Sequence, residues 1–236
     1  MINHLDLFSG IGGFALAAQM VGGIETVGFC EIDPWARKVL NKNFPGVPIH
    51  EDVKTLDPNN YGRIDLITGG YPCQPFSNAG KRRGEDDDRH LWPEICRLIE
   101  RFRPRYGLFE NVVGHVSMGL DTVLADLERI GYSAKAAIIP AIAVGADHRR
   151  DRVWIMAYST SERLEGGEIE RQSQFRVAPL VEDPFRPVSI SQALRKSDGI
   201  PRRMDRIRGL GNAIVPAVAA EILRCMISVD LSPKQP

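Results

Sequence analysis

Apolar positions in this chain fall into short continuous runs separated by longer stretches of helical spacing. The run HLDLF (4–8) predicts a strand, followed by a glycine turn and the helical stretch GFALAAQMVG. ETVGFCE (25–31) predicts a second strand. DPWARKVLNKNF then predicts a helix, with Asp33 as its N-cap and Pro34 at the first helical position, where a missing N–H costs nothing. RIDLITGG (63–70) reads as a buried strand, LWPEICRLIERF as a helix, YGLFENV as a strand and GLDTVLADLERIG as an amphipathic helix. YSAKAAIIPA and RVWIMAYS add two later strands. Strands alternating with helices in short units predict an α/β fold with a doubly wound, mostly parallel sheet. From Ser159 to about Asp205 the pattern dissolves into polar, proline-dotted sequence, and it resumes in GNAIVPAVAAEILRCMI as a helix starting near Ile214.

Composition narrows the class. The chain has 236 residues, 43% hydrophobic and 25% charged, as an ordinary globular protein has. No run approaches the roughly 18 apolar residues of a spanning helix, so no membrane partner is expected. The start, MINHLDLFSGIGG, lacks a basic segment followed by an apolar core, which predicts a protein that stays in the cytoplasm. Cys30, Cys73, Cys96 and Cys225 are scattered without a C-x-x-C pair, which argues against zinc, any other metal site or a disulfide framework. Thirty Lys+Arg balance thirty Asp+Glu, so only local patches speak for nucleic acid. KRR at 81–83, HRRDR at 148–152 and RRMDRIR at 202–208 are such patches, although taken alone such basic runs are more often solvated surface.

Two stretches carry chemistry. In TGGYPCQPFSNAG (68–80), Pro72 and Pro75 stiffen the backbone around one thiol, Cys73, and rule out a strand or helix interior. In DLFSGIGG, Gly10, Gly12 and Gly13 sit between a strand and a helix, where backbone can approach a ligand and the helix start offers free N–H groups. The next strand ends in Glu31, suited to accept both hydroxyls of a ribose, and a third strand end carries Asp52, suited to an adenine amino group. Together these favour a nucleoside cofactor over mere packing glycines and surface acids.

DLFSGIGG, CEID, GGYPCQPFS, FENV, HRRDRVW and GNAIVP, in that order, resemble the cytosine-C5 DNA methyltransferases over residues 4–157 and about 202–228. The resemblance implies S-adenosyl-L-methionine as cofactor and a Rossmann-like sheet with a reduced target-recognition region. The organisation expected is a catalytic and cofactor-binding domain at 1–158, recognition residues at 159–205, a returning C-terminal motif and helix at 206–230, and a tail at 231–236. Cys73 would be the nucleophile that adds to carbon 6 of cytosine. Glu110 would hold a proton at N3, Asn111 would orient its loop, and Arg150 and Arg152, two apart at the start of a strand, would hold Glu110 and the cytosine O2. The cofactor contacts implied are Phe8, Ser9, Gly10, Gly12, Gly13, Glu31, Ile32, Asp52, Val53, Gly70, Pro72, Leu91, Asn212, Ala213 and Ile214.

The chain departs from the family pattern in three places. His148 stands where a glutamine is usual, Ile32 stands where an aromatic often follows the ribose acid, and the 47 recognition residues are few. Because the reacting carbon lies inside the base stack, the cytosine would be flipped out. Ser77, Lys81, Arg82, Arg83, Arg202, Arg203 and Arg206 are the expected contacts to double-stranded DNA. A monomer in a bacterial or phage-infected cell is expected, and the resemblance allows a cognate restriction endonuclease that forms no stable complex with it. Three other readings remain: a tRNA cytosine-C5 methyltransferase on the same scaffold, a non-catalytic DNA-binding or partner subunit, and, weakest, a nicotinamide oxidoreductase.

Overall fold

A computed structural model describes residues 1–72, 91–160 and 213–231. Among these residues seven strands form one sheet: β1 (Ile2–Leu7), β2 (Ile24–Cys30), β3 (Ile49–His50), β4 (Leu66–Gly70), β5 (Tyr106–Val112), β6 (Tyr132–Pro140) and β7 (Asp151–Ser159). Their order is β3-β2-β1-β4-β5-β7-β6. The first five are parallel, and β7 runs antiparallel to both β5 and β6. Helices α1 (Gly13–Val21), α2 (Pro34–Asn43), α3 (Trp92–Phe102), α4 (His115–Met118), α5 (Leu120–Arg129) and α6 (Pro216–Leu231) cover the sheet.

The central strands are apolar on both sides, as strands buried between helical layers must be. Leu5, Leu7, Ile67, Phe109, Val153 and Ile155 face a core shared with Ile95 and Leu98 of α3 and Val123 and Leu127 of α5. Leu66, Leu108, Trp154 and Met156 face the opposite core, with Phe14 and Ala18 of α1 and Val218, Ile222 and Met226 of α6. The small residues Ala17, Ala18, Ala219 and Ala220 let α1 and α6 pack closely.

Several boundaries differ from the sequence expectation for identifiable reasons. β1 stops at Leu7 because Phe8 takes φ +53°, which ends the extended run. The C-terminal helix begins at Pro216 rather than near Ile214: proline supplies a fitted first residue and disfavours helical geometry in the residue before it. Asp33 caps α2 as expected, accepting from the N–H groups of Trp35 and Ala36. Arg150 precedes β7, with φ +35°, so it and Arg152 do not share the regular strand alternation that their spacing predicted.

Under the β1 turn lies a buried polar chain. The Thr68 hydroxyl donates to Asp6 Oδ1 at 3.0 Å and lies 2.7 Å from His4 Nε2, which must then carry the ring proton. The Thr26 hydroxyl, 2.9 Å from His4 Nδ1, completes the chain as donor. Burial pushes the Asp6 carboxyl up to about 8, with Thr68 opposing and Glu31 adding to the rise. Burial likewise pushes the His4 imidazole down to about 3. No helix among the described residues is long and apolar enough to cross a membrane.

Candidate active site

Strand order reverses between β1 and β4, and in open α/β sheets the crevice outside the carboxyl ends of the strands at such a point receives ligands. A cleft of about 500 Å³ lies there. The turn after β1, the segments after β2 and β3, the exit of β4 and the end of β5 all contribute to its lining. Arg150, Arg152, Ala213 and Ile214 close it from other parts of the chain.

One end of the cleft is built on β1, β2 and β3. Glu31 follows β2, and its two oxygens accept from Gly10 N–H at 2.7 Å and Asp33 N–H at 2.8 Å, so the carboxylate is fixed in direction. A carboxylate has further lone pairs for a ligand's hydroxyls. Asp52 accepts from Lys54 N–H at 3.0 Å and starts the single 3₁₀ turn that carries Val53. Ile32, 70% exposed, together with Val53, Leu91 and the half-buried Trp35, forms apolar lining. Cys30 also lines this end, but burial and the neighbouring Glu31 and Asp52 push its thiol up to about 12, leaving it protonated and inert.

The other end is built on β5 and β7. Glu110 is buried, and Arg152 Nε donates to its Oε1 at 2.8 Å. Register produces this meeting, since Glu110 pairs with Trp154 and Val112 with Arg152 across the antiparallel ladder. Burial lifts the Glu110 carboxyl above the ordinary range, and Arg152 and then Arg150 pull it partly back. Arg150 turns elsewhere: its Nη2 donates to Ala213 O at 2.7 Å, tying the start of β7 to the segment before α6. Asn111, buried beside Glu110, donates from Nδ2 to Tyr71 O at 3.2 Å, which anchors the chain two residues before Cys73. Tyr71 OH lies 2.8 Å from His115 Nε2, bracing the same point from α4.

Of the residues expected at the cofactor, Phe8, Ser9, Gly10, Gly13, Glu31, Ile32, Asp52, Val53, Gly70, Pro72, Leu91, Ala213 and Ile214 line the cleft. Gly12 is not among them. At φ +92° it caps α1, and a Cβ there would meet the Phe44 ring at 2.5 Å, so its glycine serves packing. Gly13 allows a close approach, because a Cβ on it would come within 2.6 Å of Ile214 Cγ1. His148 is absent from the lining and sits 3.8 Å from the Asp147 carboxylate. Cys73, Ser77, Lys81, Arg82, Arg83, Arg202, Arg203, Arg206 and Asn212 lie outside the described residues, as does recognition sequence from 161 onward. Sequence reasoning missed Trp35. Its signal was its place in the first turn of α2, four residues past Glu31, where helical side chains lean back toward the strand ends.

Fold and cleft together define a doubly wound, Rossmann-like α/β protein with a ligand crevice at its switch point. The sequence model of the C-5 cytosine-specific DNA methylases matches residues 2–195, and the chain belongs to that family. It is similar to the type II methyltransferases M.HgiBI and M.HgiCII of Herpetosiphon aurantiacus. With M.HgiBI it is 35% identical over 168 residues, 69% of this chain and 38% of that protein. With M.HgiCII it is 38% identical over 160 residues, 64% of this chain and 36% of that protein. The chain thus spans well under half the length of these relatives. The S. pombe Dnmt2 methyltransferase shares the fold at a TM-score of 0.70 and 19% identity, over 99% of this chain and 100% of that one. The Entamoeba histolytica methyltransferase EhMeth does so at 0.70 and 16%, over 99% of each chain.

Proposed function

We propose that this protein is a DNA (cytosine-5-)-methyltransferase acting on a cytosine flipped out of double-stranded DNA. The observation that carries the reading is the pairing, in one cleft, of buried Glu110 held by a half-buried Arg152 with an oriented carboxylate and apolar walls at the far end. The donor set fits S-adenosyl-L-methionine. Glu31 would take the ribose hydroxyls, Asp52 the adenine amino group and Ile32, Val53 and Leu91 the adenine faces, while the turn from Phe8 to Gly13 would receive the methionine part. When bound, that cofactor supplies an electrophilic methyl group.

The chain's own residues would do the rest. The Cys73 thiolate adds to carbon 6 of the cytosine, and the ring electrons shift toward N3. Glu110, whose carboxyl burial keeps inclined to hold a proton, donates at N3 and leaves carbon 5 nucleophilic. Arg152 holds the Glu110 carboxylate formed in that step, and its charge favours the thiolate. After carbon 5 is methylated, its proton leaves to water, the thiolate is expelled and N3 returns its proton to the Glu110 carboxylate, which restores the ring and the free enzyme. Lys81, Arg82, Arg83, Arg202, Arg203 and Arg206 would contact phosphates, and 159–205 would contribute recognition, with 1–158 and 206–230 forming the catalytic unit.

Labelled cofactor incubated with duplex DNA and, separately, tRNA tests the reading. Wild type should label DNA and form a denaturation-resistant adduct with 5-fluorocytosine DNA, while Cys73→Ala should do neither yet still bind cofactor. Transfer by the alanine variant refutes the covalent route, and labelling of tRNA alone refutes the substrate.

A further inference from the structure

The segment between α2 and β4 has little regular structure: two residues of β3 and two single 3₁₀ turns. Yet it supplies Asp52 and Val53 to the cleft. Local bonds shape the first turn, with Thr55 N–H and Oγ1 both donating to Asp52 O. None of these fixes the turn against the rest of the protein. Arg97, in the middle of α3, does so. Its Nη2 donates to Val53 O at 3.0 Å, and Nη1 and Nη2 each lie 3.5 Å from Leu56 O. Glu94, one turn earlier, accepts from Arg97 Nε at 2.7 Å and sets the plane of the guanidinium.

We infer that Arg97 is a positioning residue for the cofactor, setting the gap into which the adenine ring fits. Leu91 stands immediately before α3, lines the cleft and packs against the core cluster that includes Val53. With Arg97 gripping the first carbonyl of the Val53 turn and the one that follows it, both apolar walls ride on one helix, and their spacing is that of a rigid body. The planar fork matches two carbonyls at once, which a lysine ammonium on a flexible stem does not reproduce. Arg97 is not among the residues that line the cleft, so it acts through Val53 and Asp52.

The inference rests on the adenine end proposed above, and the test separates the two. Calorimetry with S-adenosylhomocysteine and with adenosine alone is run on wild type, Arg97→Lys and Arg97→Gln, alongside the transfer rate at saturating cofactor. Arg97→Gln should weaken both ligands by the same factor, about tenfold, the scale of one lost charge-assisted bond. Arg97→Lys should fall between, and the saturated rate should stay within about twofold. A merely structural role would instead lower that rate, or weaken S-adenosylhomocysteine more than adenosine, and either result overturns the inference, as does unchanged affinity. Arg97→Lys retains the charge and reports even if Arg97→Gln does not fold. Failure of wild type to bind either ligand refutes the cofactor reading itself, and Arg97 as its positioning residue falls with it.

Discussion

Replacing Arg152 with methionine keeps most of the side chain's length and removes its charge. The structure makes the consequence depend on pH. Arg152 Nε lies 2.8 Å from Glu110 Oε1, with the two side chains 22% and 11% exposed. Unit charges about 4 Å apart at an effective dielectric of about 20 attract by about 4 kcal/mol, an upper bound. Desolvation and the exposure of Arg152 reduce this, and hydrogen bonds to charged groups net about 1.5–3 kcal/mol, so a loss of about 2 kcal/mol is expected at pH 8. Burial already holds the folded Glu110 pKa above its unfolded value, and losing Arg152 lifts it further. The folded variant therefore retains a proton that the unfolded chain releases, and its stability falls as pH rises from the ordinary carboxyl value through the raised one. As pH falls toward 5 the proton is increasingly held and the loss should shrink. Urea unfolding followed by tryptophan fluorescence would register the pH 8 loss as a midpoint drop of roughly 1 M. Glu110→Gln should make the cost of Arg152→Met the same at pH 5 and pH 8. An equal loss at pH 5 and pH 8 would refute the account of a buried carboxylate stabilised by Arg152.

Three other outcomes follow from particular contacts. Gly12→Ala combines a left-handed backbone with a clash against Phe44, so urea unfolding should show a loss of roughly 2–4 kcal/mol, and a loss below about 0.5 kcal/mol would remove the packing role. Asp6 keeps its proton up to about pH 8 in the fold while the unfolded chain releases it near 4, so Asp6 costs stability as pH rises across that window. Asp6→Asn should gain on wild type by more than about 1 kcal/mol between pH 5 and pH 8, as unfolding titrations would record. Trp92 and Trp154 are buried and Trp35 lines the cleft, so S-adenosylhomocysteine should change the emission of wild type but not of Trp35→Phe; an unchanged response in the variant would place the ligand elsewhere.

Much of this molecule can be read in the chain because burial writes a local period. The strands and long helices announce themselves in runs such as LITGG and the Asp33-Pro34 helix start. The carboxyl ends where Glu31 and Glu110 sit follow from those runs. The sequence alone therefore determined an alternating α/β chain with a glycine turn, two strand-end acids and a proline-bracketed thiol. Tertiary structure decided which groups meet. No local pattern announces that β7 enters antiparallel between β5 and β6, yet that register puts Arg152 on Glu110. The left-handed turn at Arg150, which sends its guanidinium to Ala213, is equally invisible in its spacing from Arg152. Gly10, Gly12 and Gly13 look alike in sequence, but Phe44 claims one, Ile214 crowds another, and Gly10 spends its N–H on Glu31. Arg97 reads as one more exposed cation on an amphipathic helix until the fold brings the Val53 carbonyl to it across 44 residues. Periodicity reports only whether a position is buried, whereas a partner distant in sequence is chosen by strand order and helix packing, which the whole chain settles at once.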